Sequence, residues 1–501
     1  MSEYSDSICS GNSVHAAAER TKPRPVPANR DISIARSIAR DAAELGGRAY
    51  YVGGLVRDAL LYGESSSWSA GTIPACDIDI EIFGISPEKL REILSRHGAP
   101  QARGVSFGVL ALRGTQVEVS MPRRERAIGA GHKDFDVSVD PHLSLEQASA
   151  RRDFTINAIM RDVLTGEIFD PWHGRADLAK RTLRHVRAET FTEDPLRVFR
   201  AAQFSARFEF VVAPDTIGLC AGMDVSSLPG ERVWMELSKA LMLSRRPSQF
   251  FEALLEMRQL SRFFPELERT RGVKQDPLFH PEGDVWNHTL GVLDEAAKLA
   301  PRADKPLYFL LAALCHDLGK PDSTAVDPRN GRVRSIGHEL AGVDIARRQL
   351  ERLTRQKDLI SYVVNMVELH MRPNQLARSR SKERKTHMLY DECICPNDLI
   401  LLSRADVLCT SQASSADELE AFLVERLHAY RERAAQPPAT GDDLIAAGFQ
   451  PGAGFSDLLK RARRLHFSGL SKELAIQQLI SEARHGKAIA PQADQRSPPI
   501  C

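Results

Sequence analysis

The chain has 501 residues, of which 43% are hydrophobic and 27% are charged. This composition is typical of a globular protein with about two to four domains, and it excludes fibrous, collagen-like and wholly disordered proteins. Lysine and arginine number 67 against 66 aspartate and glutamate residues, so the formal net charge is +1. The total charge gives no signal of nucleic-acid binding, and any site for a polyanion must be local.

Composition and periodicity divide the chain into segments. Residues 1–30 are polar and predict a disordered arm. Over 31–185, helix-like stretches alternate with strand-like runs at 49–52, 78–83, 108–112 and 116–120, which predicts an α/β or α+β domain. Helical spacing dominates afterwards, with breaks near 229, 272 and 434. The predicted helical segments are a neck (186–275), a larger domain (276–435) and a C-terminal module (436–485), followed by a tail (486–501).

The cysteine and apolar patterns predict a cytoplasmic protein. The eight cysteines are scattered, unlike the disulfide framework of a small secreted chain. The longest nearly continuous apolar run, 307–315, has about half the length that a membrane span requires. We therefore expect no membrane attachment.

Two glycines, Gly53 and Gly54, separate the strand-like run 49–52 from a predicted helix that contains Arg57. Such a junction lets backbone N–H groups approach a phosphate, and the helix N-terminus and Arg57 add positive charge. A pair of glycines before a helix is also typical of a plain turn, so this pattern alone does not establish a phosphate site.

The segment 77–81 alternates acidic and apolar residues. In a strand, Asp77, Asp79 and Glu81 would project from one face while the two isoleucines enter the core. Carboxylates about 7 Å apart along a strand can converge on hard cations, as a two-metal phosphoryl-transfer site requires. Glu118 is a candidate third carboxylate. The alternative for these acids is a solvated face of the sheet.

Two arginines and an aspartate stand at the start of a helix predicted within 150–158. The guanidinium groups of Arg151 and Arg152 suit triphosphate oxygens, and Asp153 can hold an arginine or accept from a ribose hydroxyl. An exposed ion pair at a helix start is the alternative.

A second helix start lies at Glu193 and Asp194, since Pro195 fits a first helical turn. Asp194 could simply cap this helix. Asp194, Arg197 and Arg200 also share roughly one helical face, because they are spaced three residues apart.

These motifs are, in order, G-G-x-V-R-D, D-x-D, R-R-D-F-T-I-N-A and E-D-P-L-R-V-F-R-A-A. Together they closely resemble the signature motifs of the class II tRNA nucleotidyltransferase and bacterial poly(A) polymerase family. The resemblance covers about residues 48–235, and the segment 441–452 continues it. It implies a polymerase-beta-like nucleotidyltransferase head with a small mixed sheet, followed by all-α neck and C-terminal domains.

The resemblance also implies site residues and partners. Asp77 and Asp79 would hold catalytic Mg²⁺, and the partners would be tRNA, CTP and ATP. Asp194 and Arg197 would read the base, since cytosine and adenine share an exocyclic amine donor beside a ring-nitrogen acceptor. The residues assigned to the nucleotide are Gly53, Gly54, Arg57, Arg151, Arg152, Asp153, Asn157, Glu193, Asp194, Arg197 and Arg200.

Some features depart from the family pattern or stay open. Gln203 stands where many members carry an arginine, which puts phosphate contacts from that position in doubt. The polar insertion 61–76 predicts a surface loop. The basic run 378–385 is either a grip on RNA or a solvated surface.

Histidines and aspartates of the second half form a further pattern. Imidazole and carboxylate are the natural mixed ligand set for a transition metal or a bimetallic hydrolytic site. The order H…HD…H…H…D, within H-P-E-G-D-V-W-N-H-T and A-L-C-H-D-L-G-K-P, resembles the His-Asp (HD) superfamily of metal-dependent phosphohydrolases over about 280–409. The implied primary ligands of a divalent transition metal are His288, His316, Asp317 and Asp406. His338 and His370 would either bind a second metal or have structural or substrate-facing roles.

The sequence therefore predicts a template-independent CCA-adding tRNA nucleotidyltransferase with an accessory HD phosphohydrolase domain, acting as a phosphatase or a 2',3'-cyclic phosphodiesterase. A poly(A) polymerase, or an enzyme that adds only CC or only A, shares the fold and is the nearest alternative. An HD phosphohydrolase whose N-terminal half only binds RNA is the alternative from another class.

Overall fold

A computed structural model describes residues 29–62, 78–102, 109–127, 135–452 and 454–484. The chain forms two compact units, one of residues 1–265 with 352–354 and one of 266–351 with 355–501. Asp77, most of the predicted arm, most of the insertion 61–76 and the predicted tail lie outside the described residues.

The first unit is built on a mixed sheet. Its described strands are β1 (Arg48–Val52), β2 (Ile78–Phe83), β3 (Pro100–Ala102), β4 (Leu110–Leu112), β5 (Val117–Ser120), β6 (Arg123–Ala127), β7 (Phe135–Val139), β8 (Met160–Asp162), β9 (Ile168–Phe169), β10 (Thr182–Leu183) and β11 (Val211–Val212). Seven of them pair in the order β3-β4-β5-β2-β1-β8-β9. The β2–β5 pair is parallel and the others in this sheet are antiparallel.

The four predicted runs correspond to β1, β2, β4 and β5 to within two residues, whereas the other strands of this unit were not predicted. The predicted fold class is confirmed. Ile78, Ile80 and Ile82 are fully buried, which explains why period-two alternation located β2 correctly. The sheet places this apolar row against the helices and leaves the acidic row on its other face.

Helices of the first unit cover the sheet and build the helical region after it. They are α1 (Asn29–Glu44), α2 (Gly54–Tyr62), α3 (Pro87–His97), α4 (Leu145–Ser149), α5 (Gly174–Ala179), α6 (Ala188–Phe191), α7 (Leu196–Phe208), α8 (Pro214–Gly222), α9 (Gly230–Leu243), α10 (Ser248–Glu256), α11 (Leu260–Phe263) and α12 (Pro265–Glu268), which crosses into the second unit. Helix α7 packs against α9 and α10. The edge-to-face pair of Phe199 and Phe263 lies in this core, 5.3 Å between ring centroids.

The second unit is helical apart from one hairpin within the described residues. Its helices are α13 (Val285–Leu299), α14 (Pro306–Cys315), α15 (Lys320–Ser323), α16 (His338–Glu351), α17 (Lys357–Leu369), α18 (Met371–Arg378), α19 (Glu383–Glu392), α20 (Pro396–Leu408), α21 (Ala416–Ala434), α22 (Gly441–Ala446), α23 (Phe455–His466) and α24 (Lys472–Arg484). The hairpin pairs β12 (Thr324–Val326) with β13 (Val333–Ser335). Among the described helices, none combines the length and apolarity needed to cross a membrane.

A buried carboxylate ties three helices of the second unit together. Asp398 of α20 is fully buried and accepts hydrogen bonds from the backbone N–H groups of Asp304 (2.7 Å) and Lys305 (3.1 Å), just before α14. The hydroxyl of Tyr362 in α17 donates to the same carboxylate at 2.6 Å. These bonds satisfy the charge that burial would otherwise make costly.

We predict that Asp398→Asn lowers the free energy of unfolding by about 2 kcal/mol, because an amide cannot accept all of these bonds and loses the charge that strengthens them. Urea denaturation followed by circular dichroism measures the change. The exposed Asp344 of α16 provides the control, since Asp344→Asn should leave the transition in place. Equal midpoints for both variants would contradict the role assigned to Asp398.

Candidate active sites

The glycine turn brings backbone close to a carboxylate and an arginine. Gly53 has φ +68°, in the left-handed region that favours glycine. A Cβ atom on Gly53 would lie 3.4 Å from Nη1 of Arg152 and 3.9 Å from Oδ2 of Asp79. The turn before α2 therefore borders the acidic face of the sheet, as a phosphate cradle requires.

Two of the three predicted carboxylates meet on adjacent strands. Asp79 of β2 pairs in register with Glu118 of β5, and the strands are parallel. Registered residues of neighbouring strands point to the same face, about 4.8 Å apart along the sheet. Both side chains are half-buried. The sheet thus presents a pair of hard oxygen ligands beside the glycine turn, and Asp77 lies outside the described residues.

Glu81 holds both arginines of the R-R-D motif. It is fully buried, and its Oε1 lies 2.9 Å from Nη2 of Arg151 while its Oε2 lies 3.4 Å from Nη2 of Arg152. Sequence reasoning placed Glu81 on the acidic face but did not include it in the site. Its position two residues after Asp79 was the available signal, because alternate residues share a face.

Arg57 is buried in a network instead of lying open at the turn. It is 4% exposed, donates from Nη1 to Oδ1 of Asn157 at 2.7 Å and pairs with Asp58 at 2.6 Å. Its guanidinium also lies over the ring of Phe208, 4.6 Å from the centroid. In this arrangement Arg57 positions the turn and Asn157, with most of its donors engaged.

The helix predicted within 150–158 is wrong. This segment forms turns followed by a short 3₁₀ turn at Thr155–Asn157. The physical reason is that Oδ1 of Asp153 accepts from the backbone N–H of Phe154 (2.8 Å) and from Nδ2 of Asn157 (2.9 Å), a local pattern that competes with helix formation.

Asp153 also joins this segment to α7. Its Oδ2 lies 2.6 Å from Nη2 of Arg200 and accepts from Nε at 2.7 Å. Burial alone would raise the pKa of Asp153, but Arg200 and the hydrogen bond from Asn157 outweigh it and lower the pKa to about 2. Asp153 is therefore ionised at neutral pH, and Arg200 is fixed beside the segment that carries Arg151 and Arg152.

Asp194 and Arg197 lie at the start of α7, both half-buried. Asp194 Oδ1 accepts from the backbone N–H of Leu196 at 3.0 Å, and its Oδ2 lies 3.4 Å from Nη2 of Arg232. Arg197 donates to the carbonyls of Thr190 (2.6 Å) and Arg151 (2.7 Å). Asp194 therefore satisfies the first backbone N–H of α7 from the position before the N-cap residue Pro195, and Arg197 ties α7 to the arginine motif.

Two further residues singled out in the sequence lie in or just before α7. Glu193 is exposed, whereas Gln203 is buried at 1% exposure. Arg232 was missed by sequence reasoning because it lies on α9, distant in sequence from Asp194, and no local motif marks it.

The second unit brings all six predicted histidines and aspartates together. Nε2 of His288 lies 3.1 Å from Asp406 Oδ1 and 3.7 Å from Asp317 Oδ2, which in turn is 3.2 Å from Nε2 of His316. Asp317 Oδ1 lies 3.2 Å from Nε2 of His338. The sixth member, His370, has its Nε2 3.2 Å from that of His338.

These residues form two groups that could hold a metal ion, and both contain Asp317. One comprises His288, His316 and Asp317, and the other comprises Asp317, His338 and His370. Nε2 of His316 is buried without a hydrogen-bond partner among the described residues. An imidazole nitrogen is seldom buried unsatisfied, so the donor set fits a transition metal. Burial, with His338 and His316 nearby, lowers the pKa of His370 to about 3 and keeps it neutral.

Outer partners aim the histidines at this centre. Nδ1 of His316, His338 and His370 each lies 2.7 Å from a backbone carbonyl, and Nδ1 of His288 lies 2.7 Å from Oε1 of Glu282. Such partners fix the tautomer and direct Nε2 toward the centre of the cluster, the orientation that a metal ligand requires. Sequence reasoning missed Glu282, although it belongs to the H-P-E-G-D motif.

The cluster lines a cavity of about 560 Å³ in the second unit. Asp317, His338, His370 and Asp406 contribute to its wall. Four basic side chains also line it, namely Lys320, Arg332, Arg334 and Arg378. The cavity therefore combines a metal-ligating floor with positive charge, which suits a phosphate-bearing substrate.

Comparisons with known proteins agree with this division. Residues 49–184 match the Poly A polymerase head domain, and residues 285–411 match the HD domain. Among solved structures, the Thermotoga maritima CCA-adding enzyme complexed with tRNA has a TM-score of 0.59 and 18% identity, covering 94% of this chain and 98% of that one. The Bacillus stearothermophilus CCA-adding enzyme in complex with CTP has a TM-score of 0.58 and 20% identity, covering 91% and 98%. At these identities the likeness shows the fold alone.

Curated relatives are more similar in sequence. The multifunctional CCA protein of Ralstonia nicotianae is 41% identical over 327 residues, which are 62% of this chain and 69% of the relative. That of Actinobacillus pleuropneumoniae serotype 5b is 39% identical over 338 residues, which are 66% of this chain and 77% of the relative. By this similarity, which spans 77% of the second relative, the chain belongs to the multifunctional CCA protein family.

Proposed function

We propose that this protein is a template-independent tRNA nucleotidyltransferase that adds or repairs the 3'-terminal CCA of tRNA from CTP and ATP. The observation that carries the proposal is the convergence of Asp79, the two arginines paired with Glu81 and the Gly53 turn on the acidic face of the sheet. Family membership supports it, since the relatives are named multifunctional CCA proteins.

The geometry suits phosphoryl transfer. Asp79 and the neighbouring Asp77 would hold Mg²⁺, which supplies positive charge at the α-phosphate when bound. Arg151 and Arg152, fixed by Glu81, would receive the triphosphate oxygens, and the N–H groups of the glycine turn would add donors. The 3'-oxygen of the tRNA then forms a bond to the α-phosphorus while the bond to the β-phosphate oxygen breaks, and pyrophosphate leaves.

Base selection would fall to Asp194 and Arg197. A carboxylate acceptor beside a guanidinium donor matches the amine and ring nitrogen of cytosine or adenine, and leaves uracil or guanine with mispaired groups. Each terminal nitrogen of Arg197 gives one N–H to a backbone carbonyl and keeps a second. Arg232 would hold Asp194 in place through its contact with Oδ2.

The decisive experiment is extension of tRNAs that lack all or part of CCA, supplied with each nucleotide separately. Addition of two C residues and then one A supports the proposal. Failure to incorporate CTP would contradict it and favour a poly(A) polymerase or an A-adding enzyme, whereas addition limited to C would indicate a CC-adding enzyme.

We predict that Asp79→Asn lowers the rate of nucleotide incorporation by about 10²- to 10³-fold, because a neutral amide is a poor ligand for a hard divalent cation. Single-turnover extension measures the rate. Asp215→Asn is the matched control, since the Asp215 side chain is 80% exposed on α8, outside the site. If Asp79→Asn retains the rate of the control, Asp79 has no catalytic role.

We predict that Arg232→Gln reduces the preference for CTP over UTP by about 10-fold, because Asp194 then loses a charged partner worth roughly 1.4 kcal/mol. The ratio of kcat/KM values for the two nucleotides is the measurement. The exposed Arg245 lies just after the same helix α9, and Arg245→Gln should keep the ratio. A ratio unchanged in Arg232→Gln would leave Asp194 without the proposed support.

The second unit would act as an accessory HD phosphohydrolase, a phosphatase or a 2',3'-cyclic phosphodiesterase. His288, His316, Asp317 and Asp406 would be primary ligands of a divalent transition metal, with His338 and His370 completing a second position around Asp317. The bound metal would supply an activated hydroxide at neutral pH. Lys320, whose Nζ is 2.6 Å from Asp317 Oδ2, would offset the carboxylate charge.

We predict that Glu282→Gln weakens Ni²⁺ binding by about 10- to 100-fold, because the His288 imidazole loses the carboxylate that orients it. Calorimetric titration of the full chain measures the affinity. Glu295→Gln, on the same helix as His288 but outside the cluster, should bind Ni²⁺ as the unaltered chain does. Equal affinities in the two variants would exclude the orienting role.

Variants of the two sites distinguish a nucleotidyltransferase from a hydrolase whose first unit only binds RNA. If the chain is a hydrolase whose first unit only binds RNA, His316→Ala with Asp317→Ala abolishes its main activity while Asp79→Asn leaves it intact. We expect instead that Asp79→Asn strongly lowers nucleotide addition, whereas the double variant His316→Ala with Asp317→Ala retains it.

A further inference from the structure

The four basic residues of the HD cavity differ in what they already bind. Lys320 pairs with Asp317 and donates to Oε1 of Gln275 at 2.7 Å. Arg332 donates from Nε to Oδ2 of Asp276 at 3.0 Å and lies over the ring of Phe279, 5.4 Å from its centroid. The side chains of Lys320 and Arg332 are therefore already paired with other groups of the protein.

The side chains of Arg334 and Arg378 have no such partners among the described residues. Across the described ranges, no hydrogen bond, ion pair or ring contact holds either guanidinium group. Arg334 is half-buried on β13, and Arg378 is exposed at the last position of α18. Each carries donors that suit two oxygens of a phosphate at once.

Both arginines lie on elements that are next in the chain to a candidate histidine ligand. Helix α18 comes directly after His370, and the face that lines the cavity consists of Met371, Asn374, Gln375 and Arg378. These spacings of three, four and seven residues describe one helical face. Arg334 precedes His338 by four residues, within the segment 332–339 that also lines the cavity. The backbone of each arginine is thus held close to one candidate histidine ligand.

We propose that Arg334 and Arg378 form the anion-binding subsite of the HD cavity and hold the terminal phosphate ester of its substrate. This inference rests on the proposed hydrolase function and names the residues that recognise the phosphate. Among the lining residues, Ile336 has an apolar side chain that is 67% exposed and gives the remainder of the ester a surface to pack on. This role for Arg378 also accounts for one basic residue of the run 378–385, and it does not require the whole run to contact RNA.

The first measurement is calorimetric titration of inorganic phosphate into the full chain saturated with Mn²⁺. Arg334→Gln and Arg378→Gln should each raise the Kd for phosphate by about 10-fold, with Mn²⁺ affinity unchanged. Arg329→Gln and Arg384→Gln are matched controls, because Arg329 lies on the same hairpin and Arg384 in the same basic run, both exposed and outside the cavity lining. Phosphate affinity equal to that of the controls, or a loss of Mn²⁺ binding, would overturn the proposal.

The second measurement compares hydrolysis of a nucleoside 2',3'-cyclic phosphate with that of an RNA ending in the same group. An about 10-fold higher KM for both, with little change in kcat, places the arginines on the terminal phosphate. An increase for the RNA alone would overturn this and assign them to its backbone. If the unaltered chain binds phosphate but hydrolyses neither compound, the hydrolase function fails while the phosphate titration still tests the subsite.

Discussion

The buried carboxylate of Glu81 is the interaction on which the nucleotidyltransferase site depends. A fully buried acid is costly unless it is paired, and here it is paired with two arginines from one turn of chain. The pairing holds residues 150–158 against β2. The carbonyl of Arg151 can then accept from Arg197, and Asp153 can bind Arg200. Acid, arginine motif and helical neck form one connected network.

The HD site has a similar plan with different chemistry. Its ligands come from several helices, and each histidine is aimed by a partner on its far nitrogen. Three of these partners are backbone carbonyls three residues earlier in the chain, so local geometry at helix ends provides the orientation. His288 is the exception and relies on the side chain of Glu282.

Much of this arrangement could be predicted from sequence, because the signals were local. Alternation located β2 and its acids, and the resemblance of the second half to the HD superfamily indicated the six histidines and aspartates that the structure brings together. The helix at 150–158 was wrongly predicted because the side-chain bonds of Asp153 outcompete the helical pattern. Arg232 could not be assigned a role in advance, because its partner Asp194 lies outside its helix. Arg334 could not be assigned one either, because the cavity that it lines is formed by several elements, which no periodicity reports.

Asp317 belongs to both candidate metal groups, one through each carboxylate oxygen. If metal ions occupied both groups, they would share the single negative charge of Asp317, so the ion bound first would withdraw electron density from the ligand of the second. The two positions would then act as one electrostatic unit with unequal successive affinities. Occupancy of the HD centre would accordingly track the supply of divalent metal in two stages.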